Sequence, residues 1–432
     1  MVTLVYSRNL VLSLSHRLAR RETSKVGQGP IELKGMPQKI NIPSNMEPIQ
    51  QAALRALGPV KPADSNTRAD KNFLLVAKRT DAGRQLPPYY LVYFLLVDLL
   101  GFENLGQFEK VSWSVPIDFQ GQAFLIEHRK FGVGVFAHDP KNEEAQASEI
   151  VARTQKAVKS ARPFFDWLAD QAVAASAVNV VNNSSALFAR FTYLRDAYRS
   201  KSDEAKLRKD EVNIEKHESA TSGHKWETVS FPALQLNRQA DWLAMAAIDA
   251  FFSWTEHVFI HLAILLGTLN SAQQVAELAE ANWTAKFKAA LNLTDVAVKS
   301  SFDALIAMRR ELRNYVAHGA FGKQGEAFTF HSSVGAVPVL LPHRTGSKKF
   351  TLGHGLDFDS ETALQEIARF IALLWSGRRS PAQKYIQESH LPIILTMAAD
   401  GTYADAMRSD KSMSEFVEHL SYRFDEAANM DW

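Results

Sequence analysis

The stretch RQADWLAMAAIDAFFSWTEHVFIHLAILLGTL, Arg238 to Leu269, decides how this chain folds. Apolar residues recur around nearly the whole circumference at helical spacing, which predicts a long helix buried on most sides. Against that background Asp249, Ser253, His257 and His261 recur every fourth residue, with Glu256 beside them. Steps of four keep side chains on one slowly drifting face, so a buried helix carries a polar seam. An unpaired buried polar group costs about 1–3 kcal/mol. The seam therefore has to meet another polar surface or a cleft.

A second helix supplies such a surface. In KSSFDALIAMRRELRNYVAHG, Lys299 to Gly319, the apolar side is Phe302, Leu305, Ile306, Leu312 and Val316, while Arg309, Arg310, Arg313, Asn314 and His318 crowd the C-terminal half. Asn314 and His318 share a face. Arg313 and His318 lie about 140° apart on an ideal helix and converge only if the last turn loosens, which Gly319 at the C′ position would permit. A guanidinium matches phosphate geometry, and an imidazole exchanges a proton near neutral pH. Those two groups suffice, without metal, for attack of an RNA 2′-hydroxyl on its own phosphate. The same residues also suit a helix C-terminal cap, since cations there favour the dipole and histidine bonds the last carbonyls.

Outward from this pair, the chain divides by pattern. Residues 1–67 read as a poorly ordered extension rich in Pro, Asn, Gly and Ser after residue 30. The opening MVTLVYSRNLVLSLSHRLARRE is basic and apolar; it suits either an amphipathic targeting segment or an extension ahead of a later start at Met36 or Met46. Residues 68–193 read as an α+β unit. Pro87-Pro88 opens the apolar helix YYLVYFLLVDLLGF, alternating strands follow around Gln120-Gly121-Gln122, and helix resumes from Asn142. The densely charged 194–230 reads as a solvated connector, 231–380 as a helical bundle with a strand-like insertion, EAFTFHSSVGAVPVLLPH, and 381–432 as a helical tail. The fold expected is therefore mainly α with an α+β N-terminal unit.

Composition sets the limits on chemistry. The chain has 432 residues, 46% of them hydrophobic, which is enough for two or three globular cores. A net charge of +2 leaves no global field to attract nucleic acid, so phosphate binding has to come from local clusters. The absence of cysteine excludes disulfides, zinc–thiolate sites and a thiol nucleophile, and suits the cytoplasm. No uncharged apolar run reaches the roughly 18–20 residues of a bilayer span, so no membrane partner is expected.

The segment Arg313-Asn314-Tyr315-Val316-Ala317-His318 at a helix end, preceded by an acid in an aromatic apolar helix, resembles the HEPN family (higher eukaryotes and prokaryotes nucleotide-binding). That family's signature is R-x4-6-H, often with a polar residue directly after the arginine. The likeness covers roughly Phe231 to Gly377. It implies a HEPN-like helical bundle and a metal-independent endoribonuclease without cofactor, in which Arg313, Asn314, His318 and Glu256 are catalytic. It also implies RNA as partner, a homodimer through the bundle, and a role as toxin or abortive-infection effector. Arg309 and Lys323 are candidates for substrate contact. With this reading the N-terminal unit senses a trigger or positions something; the alternative is a non-catalytic HEPN-like module that binds a nucleotide or RNA, or dimerises to regulate a partner. For Glu256 a simple ion pair with an arginine of the second helix serves equally well. His257 and His261 have a metal-compatible i, i+4 spacing, but EHVFIH is not H-E-x-x-H and no third ligand is evident, so no metal is expected.

Overall fold

The computed structural model describes residues 40–432 except 65–66, 68–70, 219–222, 319–327, 341–349, 353–358 and 429–432; side chains of 71, 72, 74, 314–318, 427 and 428 also lie outside the description. Its architecture is mainly α with small sheets. The N-terminal part is built on an antiparallel sheet of β1 (Val60–Pro62), β2 (Lys78–Arg79), β3 (Val111–Phe119), β4 (Gln122–Arg129) and β5 (Gly132–Ala137), in the order β1-β3-β4-β5-β2. The β3–β4 turn is tight because Gln120 and Gly121 both take positive φ, +56° and +83°, the combination that matches strand twist. Val115, Ile117, Phe124, Ile126 and Val135 point from this sheet into a core shared with Leu95 and Ile150. The helix after Pro88 starts at Tyr89 as expected, then widens over Phe94–Leu99 to i→i+5 bonding, with Leu100 N–H donating to Leu95 O at 3.1 Å.

Three expected boundaries are corrected. Residues 47–62 are not part of a loose extension: Glu47–Leu57 is a helix that buries Ala53, Ala56 and Leu57, and Val60–Pro62 pairs with β3. The short period Ile49, Ala53, Ala56 was hidden by the Pro- and Asn-rich flanks. Residues 1–39 lie outside the described residues. The charged stretch from 194 is likewise not a connector at its start, because it continues the helix Ser184–Leu207. Phe191, Tyr198 and Ala205, spaced by seven, are buried, the first two in the second core. The charges that dominate the composition pair with each other on the outer side, as in Lys201–Glu204 and Arg208–Glu211. Only beyond it does an exposed hairpin, Asn213–Glu218 with Lys225–Ser230, leave the body. Leu168 is the last buried residue of the first cluster, and Val178 and Val180 already pack against the second.

The third correction concerns 381–432, which is no tail. Tyr385, Ile393, Leu395, Tyr403, Met413 and Leu420 belong to the same buried cluster as the long helix. Tyr385 Oη donates to Pro392 O at 2.6 Å, and Tyr403 Oη accepts from Ile394 N–H at 2.9 Å.

The long helix runs Pro232–Leu265 and forms the axis of this second core. By length and composition alone it could cross a membrane; here just over half of its most apolar window, 56%, is buried inside the protein. Helices Ser184–Leu207, Trp283–Ala290 and Ser360–Leu374 pack on it. The last is capped by Asp359, whose Oδ1 accepts from Glu361 and Thr362 N–H, and not by Ser360, its first residue. The expected strand insertion is a three-stranded antiparallel sheet, Thr351–Leu352, Gly335–Leu340 and Phe328–Ser332.

Candidate functional site

The second helix of the sequence reading spans Val296–His318. Between it and the long helix lies an open groove of about 980 Å³. Met245, Ala246, Asp249, Phe252, Ser253 and Glu256 line one wall, and Ile306, Arg309, Arg310, Leu312 and Arg313 the other. The polar seam thus meets a cleft over Asp249–Glu256, with arginines across from it.

The seam does not stay in the groove. Four residues advance a helix by about 40° past a full turn, so from Asp249 to His261 the direction drifts by about 120°. His257 and His261 therefore face a different neighbour. His257 Nε2 accepts the Asn183 N–H at 2.9 Å, and the His261 ring nitrogens lie 2.9 Å from His257 O and 3.2 Å from Val181 O. Burial, reinforced by the adjacent His261, pushes the His257 imidazole down to about 3, and burial lowers His261 as well. These histidines hold the segment 181–183 to the long helix in neutral form. Among the described residues no three His, Asp or Glu side chains are grouped as a metal ion would need.

Glu256 sits at the centre of an ion-pair cluster. Lys286 Nζ donates to its Oε2 at 2.9 Å, and Arg309 Nη2 lies 3.8 Å from Oε1. The Arg309 guanidinium also covers two rings, 5.7 Å from the Phe252 centroid and 6.0 Å from that of Trp283. Cation–π contact and a carboxylate thus hold Arg309 at one end of the groove. The expected pairing of Glu256 with an arginine of the other helix is present. Sequence reasoning missed Lys286, whose side chain is only 8% exposed. The signal was its place three residues after Trp283 in WTAKFKAA, on the buried face.

Arg310 and Arg313 are exposed and form no ion pair with another described residue. Two permanent cations with unused donors therefore line the groove beside the Glu256 cluster, a surface suited to an anion with planar oxygen pairs. The side chains of Asn314 and His318, and all of Lys323, lie outside the described residues; the helix backbone continues through His318.

The Glu256 cluster makes a stability prediction. Removing one partner of a buried pair leaves an uncompensated charge, at about 3–5 kcal/mol when both are buried. Glu256 is 35% exposed, so Glu256→Ala is expected to lose less, about 1–3 kcal/mol. Urea unfolding measures this, and Lys286→Met in the same chain should recover most of it. Recovery failing in the double variant would show that Lys286 is not the group left stranded.

Compared with family models, curated proteins and solved structures, the chain matches none.

Proposed function

We propose that the chain is a metal-independent endoribonuclease of the HEPN type. The observation that supports it is the meeting of Arg309, Arg310 and Arg313 with Glu256 in one open groove, at the end of the helix that carries the Arg313–His318 motif. On this reading the bundle around the long helix is HEPN-like. His318 takes the proton of an RNA 2′-hydroxyl, the 2′-oxygen bonds to the adjacent phosphorus, and the phosphorus–O5′ bond breaks as a proton passes to the leaving oxygen. Arg313 faces the extra negative charge on the phosphoryl oxygens, where fixed donors act most strongly. Asn314 orients the imidazole, Lys323 touches a neighbouring phosphate, and Glu256 is a positioning residue acting through Arg309 and Lys286. The functional unit is a homodimer through the bundle, working in the cytoplasm as a toxin or antiviral abortive-infection effector. The N-terminal unit receives the trigger.

An assay on unstructured RNA in excess EDTA tests the chemistry. Cleavage is expected to persist there, to leave 2′,3′-cyclic phosphate and 5′-hydroxyl ends, and to stop on a 2′-O-methyl copy of the substrate. Loss of cleavage in EDTA, or cutting of the methylated strand, rejects the mechanism. Firm binding with no cleavage of any RNA would leave the binding-module alternative.

A further inference from the structure

Trp242 is 59% exposed on the helix that forms one wall of the groove. A tryptophan normally buries most of its large apolar surface, so an open one beside a groove offers a flat ring face to what enters it. At about 100° per residue, Trp242 falls within about 30° of the mean direction of Met245, Ala246, Asp249, Phe252, Ser253 and Glu256, the six groove residues of this helix. Trp242 does not itself line the groove, but this direction places it one turn beyond Met245 on the same side of the helix. Arg238, also exposed, continues the same face one turn further.

We infer that the groove takes a single strand of RNA, with one unpaired base stacked on Trp242 and the phosphates running past Arg310 and Arg313. This inference rests on the ribonuclease reading and names its substrate form. In a duplex both faces of every base are covered by its neighbours, so an indole can stack only on a base that has left the helix or never joined one. Arginines with no ion pair among the described residues, and an exposed ring further along, match the two components of such a strand, its charged backbone and its apolar bases. The dimensions agree. About 21 Å of helix axis separates Trp242 from Glu256, room for about six nucleotides at the stacked spacing of about 3.4 Å. Trp242 is thus a specificity-determining residue, favouring purines for their larger ring face.

Fluorescence anisotropy with a labelled 2′-O-methyl oligomer of about eight nucleotides measures binding without cleavage. Trp242→Ala is expected to weaken it about tenfold, while Trp242→Phe stays close to wild type. An oligomer abasic at every position should bind wild type as weakly as the intact oligomer binds Trp242→Ala, and combining the two should cost nothing more. The same sequence as a duplex should compete poorly. Equal binding by wild type and Trp242→Ala overturns the inference and leaves the ribonuclease reading standing. So does a Trp242→Ala variant that changes only the sedimentation of the protein, since the indole would then cover a protein partner. Failure of wild type to bind any oligomer overturns both.

Discussion

Replacing His318 with alanine is expected to slow RNA cleavage by a factor of about 10²–10⁴, the range contributed by a positioned proton-transfer group. Two roles compete for this residue, and their magnitudes separate them. A histidine that only caps its helix is worth about 0.3–1 kcal/mol of stability and leaves the turnover of folded protein unchanged. A histidine that carries the 2′-hydroxyl proton leaves the melting midpoint nearly where it was and removes the rate. Single-turnover cleavage and thermal unfolding of the same preparation decide between them. Arg313→Lys refines the result. It keeps the charge that lines the groove but loses the planar pair of donors, so cleavage should fall while binding changes little. A His318→Ala variant that cuts at the wild-type rate rejects the proposal.

The largest expected stability change lies behind the groove. Trp283→Ala should destabilise the protein by about 3–5 kcal/mol, as removing a fully buried indole does elsewhere. Trp283 has no exposed surface and packs on Phe252, Phe259, Phe287 and Phe302 at centroid distances of 5.2–6.3 Å. Its indole N–H donates to Thr255 Oγ1 at 2.9 Å, itself buried. Phe302 and Arg309 both lean on this ring from the helix that carries the motif. The cavity therefore removes the support of one groove wall as well as core area. Trp283→Phe keeps the ring and loses the hydrogen bond, about 1 kcal/mol. Guanidinium unfolding of the three proteins should place the midpoints in the order wild type, Phe, Ala; coincident midpoints would show that the ring is not a strut.

The two helices that frame the groove were legible because their patterns are local. A long apolar run with polar residues at steps of four describes one helix whatever surrounds it, and a crowd of arginines before a glycine describes another. The helix at 47–57 and the core segments after 381 were not legible. The apolar residues of 47–57 are few and broken by polar ones, the apolar run of 391–399 is too short to show what covers it, and both are buried only because distant surfaces meet them. The charge of 194–207 misled for a related reason. Composition counts every residue on a helix, while packing uses only the face carried by Phe191, Tyr198 and Ala205.

For the groove itself, the residue types and their order along each helix were written in the sequence: a drifting polar seam on one, guanidinium groups on the other. Tertiary structure alone decided that Asp249 and Glu256 meet the arginines while His257 and His261 turn to Asn183 and Val181, and that Lys286 comes from a third helix to meet Glu256. The physical reason is that helical periodicity gives each side chain an angle about its own axis. What lies at that angle is set by where the other helices pack, through contacts far apart in the chain.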